Sequence, residues 1–140
     1  MSTYIPEPIR RLVAERAGFR CEYCRVRQAD SFLAFEIDHI VSQKHGGGSE
    51  IENLAYACPH CNAHKGSDLT TFLDSYDDII PIFNPRTQRW TDHFLPENGL
   101  IIELTRIGKG TIKLLQINDP DRIIQRALLE EAGCWPEQEI

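Results

Sequence analysis

Two Cys-x-x-Cys pairs, Cys21/Cys24 and Cys58/Cys61, constrain this chain more than anything else in it. A two-residue spacer lets one tight backbone turn aim both sulfurs at a single ion. Two such knuckles supply the four thiolates of a tetrahedral structural zinc site. Any fold that satisfies them must bring the two knuckles together and place the segment between them against the junction. That segment contains Asp38-His39, and Asn62 directly follows the last cysteine. Binding zinc requires none of these three residues, so they ask for a separate chemical reason.

At 140 residues the chain suits one compact domain or a small metal-nucleated module with an extension. The start, MSTYIPEPIRR, has no apolar signal core, and no apolar run approaches the length that spans a bilayer. The expectation is a cytoplasmic protein, where thiols stay reduced and paired cysteines serve metals rather than disulfides. The fifth cysteine, Cys134, has no partner motif and reads as a bystander.

A formal charge of −6 is unusual for a nucleic-acid protein, but its distribution is uneven. Residues 1–65 are balanced, with eight Lys/Arg against eight Asp/Glu, so the acidic excess lies in 66–140. Arg10, Arg11, Arg16, Arg20, Arg25 and Arg27 face only Glu15 and Glu22 in their stretch. Among these, Arg16, Arg20, Arg25 and Arg27 flank the first knuckle and are the candidate phosphate contacts, joined by Lys65; the alternative is a solvated helix face.

Pro8 at a first turn, apolar Ile9, Leu12, Val13 and Ala17, and Gly18 as a stop predict a helix over 8–17. A strand over 32–37 ending at Asp38-His39, a glycine loop over 43–49, a strand over 54–57, and a helix from Asn62 to about Leu73 follow. Farther on, His93–Leu95 reads as a short strand and Glu97-Asn98-Gly99 as a turn. Leu100–Ile107 and Thr111–Ile117 read as two strands of a hairpin around Gly108-Lys109-Gly110. A last helix begins at Pro120 behind an Asn118 or Asp119 cap and ends before Gly133, with Ile123, Ile124, Ala127 and Leu128 as its buried face.

Hydrolysis of a phosphodiester needs an activated water, a cation beside the phosphate and stabilisation of the leaving oxygen. His39 is a candidate base because imidazole titrates near neutrality. Asp38 and the amide oxygen of Asn62 are hard donors suited to Mg²⁺ or Mn²⁺. Adjacent strand residues point to opposite sides, so Asp38 and His39 address one substrate only where a strand end or bulge re-aims them.

CEYC, then EIDHI, then a glycine-bearing loop with ENL, then CPHCNAHKG together resemble the HNH endonucleases over residues 15–67. The resemblance implies an α+β, zinc-stapled ββα-metal (His-Me finger) module with a C-terminal β-hairpin and helix extension. It implies His39 as general base, Asp38 and Asn62 as ligands of the catalytic ion, and Asn53 tying strand to loop to strand; His64 is the alternative to Asn62. The division expected is 1–75 for the nuclease module and 76–140 for a β-rich extension packed on it. FNPRTQRWTDHF resembles the extension of small stand-alone bacterial proteins of this type, with Arg86, Arg89, Trp90 and His93 forming either a substrate patch or a packing flap. The function expected is cleavage of duplex or branched DNA with Zn²⁺ as staple and Mg²⁺ or Mn²⁺ as catalyst. The alternatives are a non-catalytic zinc module binding nucleic acid or protein, and an RNA-directed nuclease.

Overall fold

The structure, a computed structural model, describes residues 4–136. Helix α1 (Glu7–Arg16) starts on Pro6 and Pro8, whose fixed φ suits a first turn, and stops where Gly18 turns left-handed at φ 64°. Its buried side is Val13 and Ala14, while Leu12, expected inside, lies about half exposed.

The first knuckle follows immediately, with Arg20 bridging back to Arg27 and Cys21 N–H donating to the Val26 carbonyl at 2.9 Å. Strand β1 (Glu36–His39) pairs antiparallel with β2 (Leu54–Ala57), placing Asp38 opposite Ala55 and His39 opposite Leu54. The expected strand over 32–37 therefore begins only at Glu36; Phe32 and Leu33 are exposed.

Helix α2 (Pro59–Lys65) begins inside the second knuckle, with Cys58 as its N-cap, and ends at Gly66. The sequence pattern predicts this helix from Asn62 to Leu73. Pro59 at the first helical position marks the true start. Gly66 at φ 52° ends it, releasing the chain into β3 (Thr70–Phe72).

β3 pairs with β4 (Ile79–Pro81), so a hairpin carries the chain across residue 75. Short α3 (Trp90–His93) leads into β5 (Phe94–Glu97), which turns through Asn98-Gly99 onto β6 (Leu100–Glu103). Both turn residues have positive φ, 51° and 85°, the conformation that Asn-Gly adopts at least cost in a two-residue hairpin.

The hairpin expected around Gly108-Lys109-Gly110 is instead helix α4 (Arg106–Leu115). Thr105 caps it, its hydroxyl accepting from Gly108 N–H at 3.1 Å. The two glycines allow close packing rather than a turn: a Cβ on Gly108 would sit 2.3 Å from the His93 carbonyl oxygen, and one on Gly110 2.7 Å from Ile80 Cγ2.

Helix α5 (Pro120–Glu131) occupies its expected place but turns a different face inward. Arg126 is fully buried, whereas Ile124 and Leu128 are about 60% exposed. Arg126 donates to the carbonyls of Gly99 and Ile117 and to Asn118 Oδ1, at 2.7–2.9 Å, so the buried cation ties the β5–β6 turn to the segment that precedes α5. One continuous apolar core, including Val13, Tyr23, Val26, Leu54, Phe83, Phe94, Ile101, Leu115 and Trp135, joins the knuckle region to the C-terminal part. No helix among the described residues is long and apolar enough to cross a membrane.

Candidate functional site: a thiolate cluster beside a histidine cleft

The ligand atoms of Cys21, Cys24, Cys58 and Cys61 all lie within 4.8 Å of one another, and all four cysteines are buried. Cys24 Sγ and Cys58 Sγ are 3.7 Å apart, near the roughly 3.8 Å edge of a tetrahedron with Zn–S bonds of about 2.3 Å. A disulfide would need about 2.05 Å. The donor set therefore fits zinc, and Cys134 stays outside it.

Backbone N–H groups point at the sulfurs: those of Tyr23 and Cys24 at Cys21, and that of Cys61 at Cys58. The C-terminal part adds a cation, as Arg122 Nη2 lies 3.4 Å from Cys24 Sγ and 3.5 Å from Cys58 Sγ. Burial works against that charge, but the sulfurs of Cys24, Cys58 and Cys61 outweigh it and hold the Arg122 pKa above its ordinary value.

Two indoles close over the first knuckle. Trp90 Nε1–H donates to the Tyr23 carbonyl at 2.8 Å and Trp135 Nε1–H to that of Cys24 at 2.9 Å. Arg86 pairs with Glu22, and Arg25 stacks over the Trp90 ring at 5.1 Å. Trp90 is buried, and His93 is bonded to Thr105 Oγ1, so this stretch packs as a flap over the knuckle rather than presenting an open patch.

Two rungs connect α2 to one face of β1. In the inner rung, Asp38 Oδ1 accepts from Lys65 Nζ at 3.2 Å and Oδ2 from the Tyr23 hydroxyl at 2.8 Å. Lys65 Nζ also donates to the carbonyls of His39 and Ile40, both at 3.1 Å. Both side chains are almost completely sealed, at 1% and 3% exposure. Burial pushes the Asp38 carboxyl above its ordinary value, while Lys65 and Tyr23 pull against it. Burial and the Asp38 charge push the Tyr23 phenol well up, so it remains a donor. In the outer rung the exposed Glu36 carboxylate accepts from the Asn62 amide.

An open cleft of about 510 Å³ lies alongside, lined by Asp38, His39, Ser42, Lys44 and Asn62, with Arg10 reaching in from α1. Asp38 and His39, although adjacent, thus both contribute to it from the end of β1. His39 Nε2 lies 3.1 Å from Ser49 Oγ, and Nδ1 has no protein partner among the described residues. Asn53 holds the loop that brings Ser49 there. Its Oδ1 accepts from Val41 N–H and its Nδ2 donates to the carbonyls of Val41 and Gly48, at 2.7–2.9 Å.

His64 lies outside the cleft: two residues along α2 is over half a turn, and its Nδ1 meets the His60 carbonyl at 2.8 Å. Sequence reasoning missed Ser42, which lines the cleft, and Ser49, which meets His39. Ser42 Oγ is buried with no hydrogen-bond partner, and only its position beside the histidine reveals it.

The expected phosphate contacts are largely taken up inside the protein. Lys65 is buried in the inner rung. Arg16 donates to the carbonyls of Ile51 and Leu54 at 2.9 and 2.5 Å, and buried Arg20 donates to that of Arg25 at 3.0 Å. Arg27 makes two bonds to Asp30, and Arg25 lies on Trp90. Basic composition near a knuckle did not distinguish a cation that faces solvent from one that closes a loop.

Residues 21–68, which contain the knuckles, β1, β2 and α2, match the HNH endonuclease family. Over that stretch the chain is similar to the HNH endonucleases. A Septu protein PtuB of Bacillus thuringiensis is 25% identical over 123 residues, which make up 86% of this chain and 45% of that protein. The chain therefore spans less than half the length of this relative. No solved structure matches it.

Proposed function

We propose that this chain is a DNA endonuclease that hydrolyses phosphodiester bonds with His39 as general base and a divalent metal ion. The observation that carries the reading is the state of His39: half-buried in an open cleft, anchored at one ring nitrogen and unengaged at the other. With Nε2–H donating to Ser49 Oγ, Nδ1 keeps its lone pair and can take a proton from a water in the cleft. Asn53 holds that geometry by fixing the loop. Ser42 Oγ lies buried in the cleft wall without a hydrogen-bond partner.

The hard-oxygen donors of Asn62 and of a β1 carboxylate suit Mg²⁺ or Mn²⁺, which when bound would offset charge on the phosphate and leaving oxygen. The cysteine cluster, holding zinc, would keep α2 and its Asn62 against β1. Arg10 and Lys44 take over the role assigned to the knuckle arginines. Both are exposed and line the cleft; Arg10 spends only Nε, on the Ile5 carbonyl, and Lys44 has no partner among the described residues. Two cations flanking the base suit a polyanionic strand despite the acidic total.

The test is incubation of the purified, zinc-loaded protein with supercoiled plasmid and with branched DNA, under Mg²⁺, Mn²⁺ and EDTA. Nicking that requires the divalent ion supports the reading. Binding without cleavage under every ion contradicts it and favours the non-catalytic module.

A further inference from the structure

We infer that the groove between α1 and the β1–β2 sheet takes an unpaired nucleobase of the DNA strand whose phosphate would occupy the His39 cleft. This rests on the nuclease reading above and narrows its substrate to DNA with a single-stranded stretch beside the cut.

The groove, of about 400 Å³, adjoins the cleft, and Arg10 and Ile37 line both. Strand geometry sets the two cavities in line. Ile37 and His39 are two residues apart on β1 and so share a face, and Tyr56 stands opposite Ile37 on β2. Phe35, two residues before Ile37, continues that row and packs on Tyr56 with ring centroids 5.4 Å apart. From His39 to Phe35 is about 13 Å of extended chain, a reach of a couple of nucleotides.

The two cavities differ in what they can hold. Arg10 and Lys44 bring cations to the cleft, as a phosphate requires. In the groove Arg10 and Arg11 are balanced by Glu7 and Glu15, and the floor is Phe35, Ile37 and Tyr56. A phosphate gains little there. A nucleobase is flat and neutral and carries N–H donors on its edge, so it matches both the apolar floor and the carboxylates at the rim.

Phe19 forms a further wall of the groove. Its ring is half exposed, and its backbone is left-handed at φ 56°, a conformation that strains a bulky residue where Gly or Asn would sit freely. Its N–H donates to the Ala14 carbonyl at 2.9 Å and closes the end of α1, a bond that any residue except proline could make. The helix end does not call for an aromatic side chain; a stacking platform does. In a duplex the faces of a base are covered by its neighbours and its edge by its partner, so only an unpaired base can lie on that platform.

The experiment measures binding of the zinc-loaded protein, without added divalent ion and at one salt concentration, to three labelled probes. These are a short single-stranded DNA, the same strand with abasic central positions, and the corresponding duplex. Wild-type protein should prefer the intact single strand, and the abasic strand should bind about fivefold more weakly or worse although all its phosphates remain. Phe19→Asn and Phe19→Leu should each lower single-strand affinity by about the same factor and leave duplex affinity within about twofold, with zinc content unchanged. Asn relieves the left-handed backbone and Leu keeps the apolar bulk, so a shared loss cannot be put down to misfolding. A preference for duplex, equal affinity for intact and abasic strands, or wild-type affinity in both Phe19 variants would overturn the inference and leave the nuclease reading intact. Protein that binds the single strand through Phe19 but cuts no DNA under any divalent ion would uphold the groove and overturn the nuclease reading. Wild-type protein that binds none of the probes overturns both.

Discussion

The Asp38–Lys65 and Glu36–Asn62 contacts join the same strand to the same helix, yet they differ in almost every physical respect. The inner pair is sealed, and its polar atoms are paired with Tyr23 and two backbone carbonyls. The outer pair is exposed and makes one hydrogen bond. A buried charge left unpaired is costly, so the inner groups had to find every partner and have little capacity left for a ligand. The outer groups had water as an alternative and keep unused donors and acceptors. The sealed polar cluster is thus bound up with the fold, and the adjacent open pair is not.

Removing zinc is the largest test of that contrast, because both rungs depend on α2 being held by the thiolates. Chelation should cost on the order of 10–16 kcal/mol, the range for structural zinc in small peptides, and unfold the knuckle region, with Cys58→Ser costing a part of that. Circular dichroism and zinc analysis would check it. A metal-free chain that keeps its melting transition would break the comparison at its root.

Breaking one rung at a time sharpens it. Lys65→Met should destabilise the fold by about 3–5 kcal/mol, since Asp38 is left buried without its cation. Glu36→Gln should change stability by less than about 0.5 kcal/mol, as expected for an exposed residue. Denaturant unfolding of the two variants measures the difference; equal losses would mean the rungs are not distinct.

Arg122→Ala comes next. It removes the N–H donor facing Cys24 and Cys58 and should weaken zinc binding by about 10–100-fold, read by competition with a chelating dye. An unchanged zinc affinity would show that α5 merely lies near the cluster. The smallest effect belongs to the open side. Replacing both Arg10 and Lys44 by alanine should leave stability unaltered and flatten the salt dependence of DNA binding, by about 0.9 in the log–log slope for each phosphate no longer neutralised. Arg16→Ala should not flatten it, because that side chain closes a loop.

The placement of several candidate-site residues was legible in the sequence, for reasons that follow from their chemistry. The cysteine spacing announced the cluster, and β2 lies over the residues expected. His39 and Asn62 do meet in one cleft, and Asn53 does bridge strand and loop. What escaped was whatever depends on a partner distant in the chain. Lys65 looks like any helix lysine until Asp38 is placed beneath it. Gly108 and Gly110 look like a turn until His93 and Ile80 crowd against them. Ile107, Thr111 and Leu115 carry a four-residue helical spacing, but the glycines between them suggested a break. The inward face of α5 was hidden by composition: apolar Ile124 and Leu128 lie outward while Arg126 faces inward, bonded to Gly99, Ile117 and Asn118.

The central claim, that His39 activates water in a metal-dependent cut, is tested most directly by comparing His39→Ala with wild-type protein in a plasmid nicking assay at saturating Mg²⁺. The substitution should slow cleavage by about 10²–10⁴, the usual effect of losing a positioned general base, with zinc content, melting temperature and DNA affinity unchanged. A His39→Ala protein that nicks at the wild-type rate would contradict it.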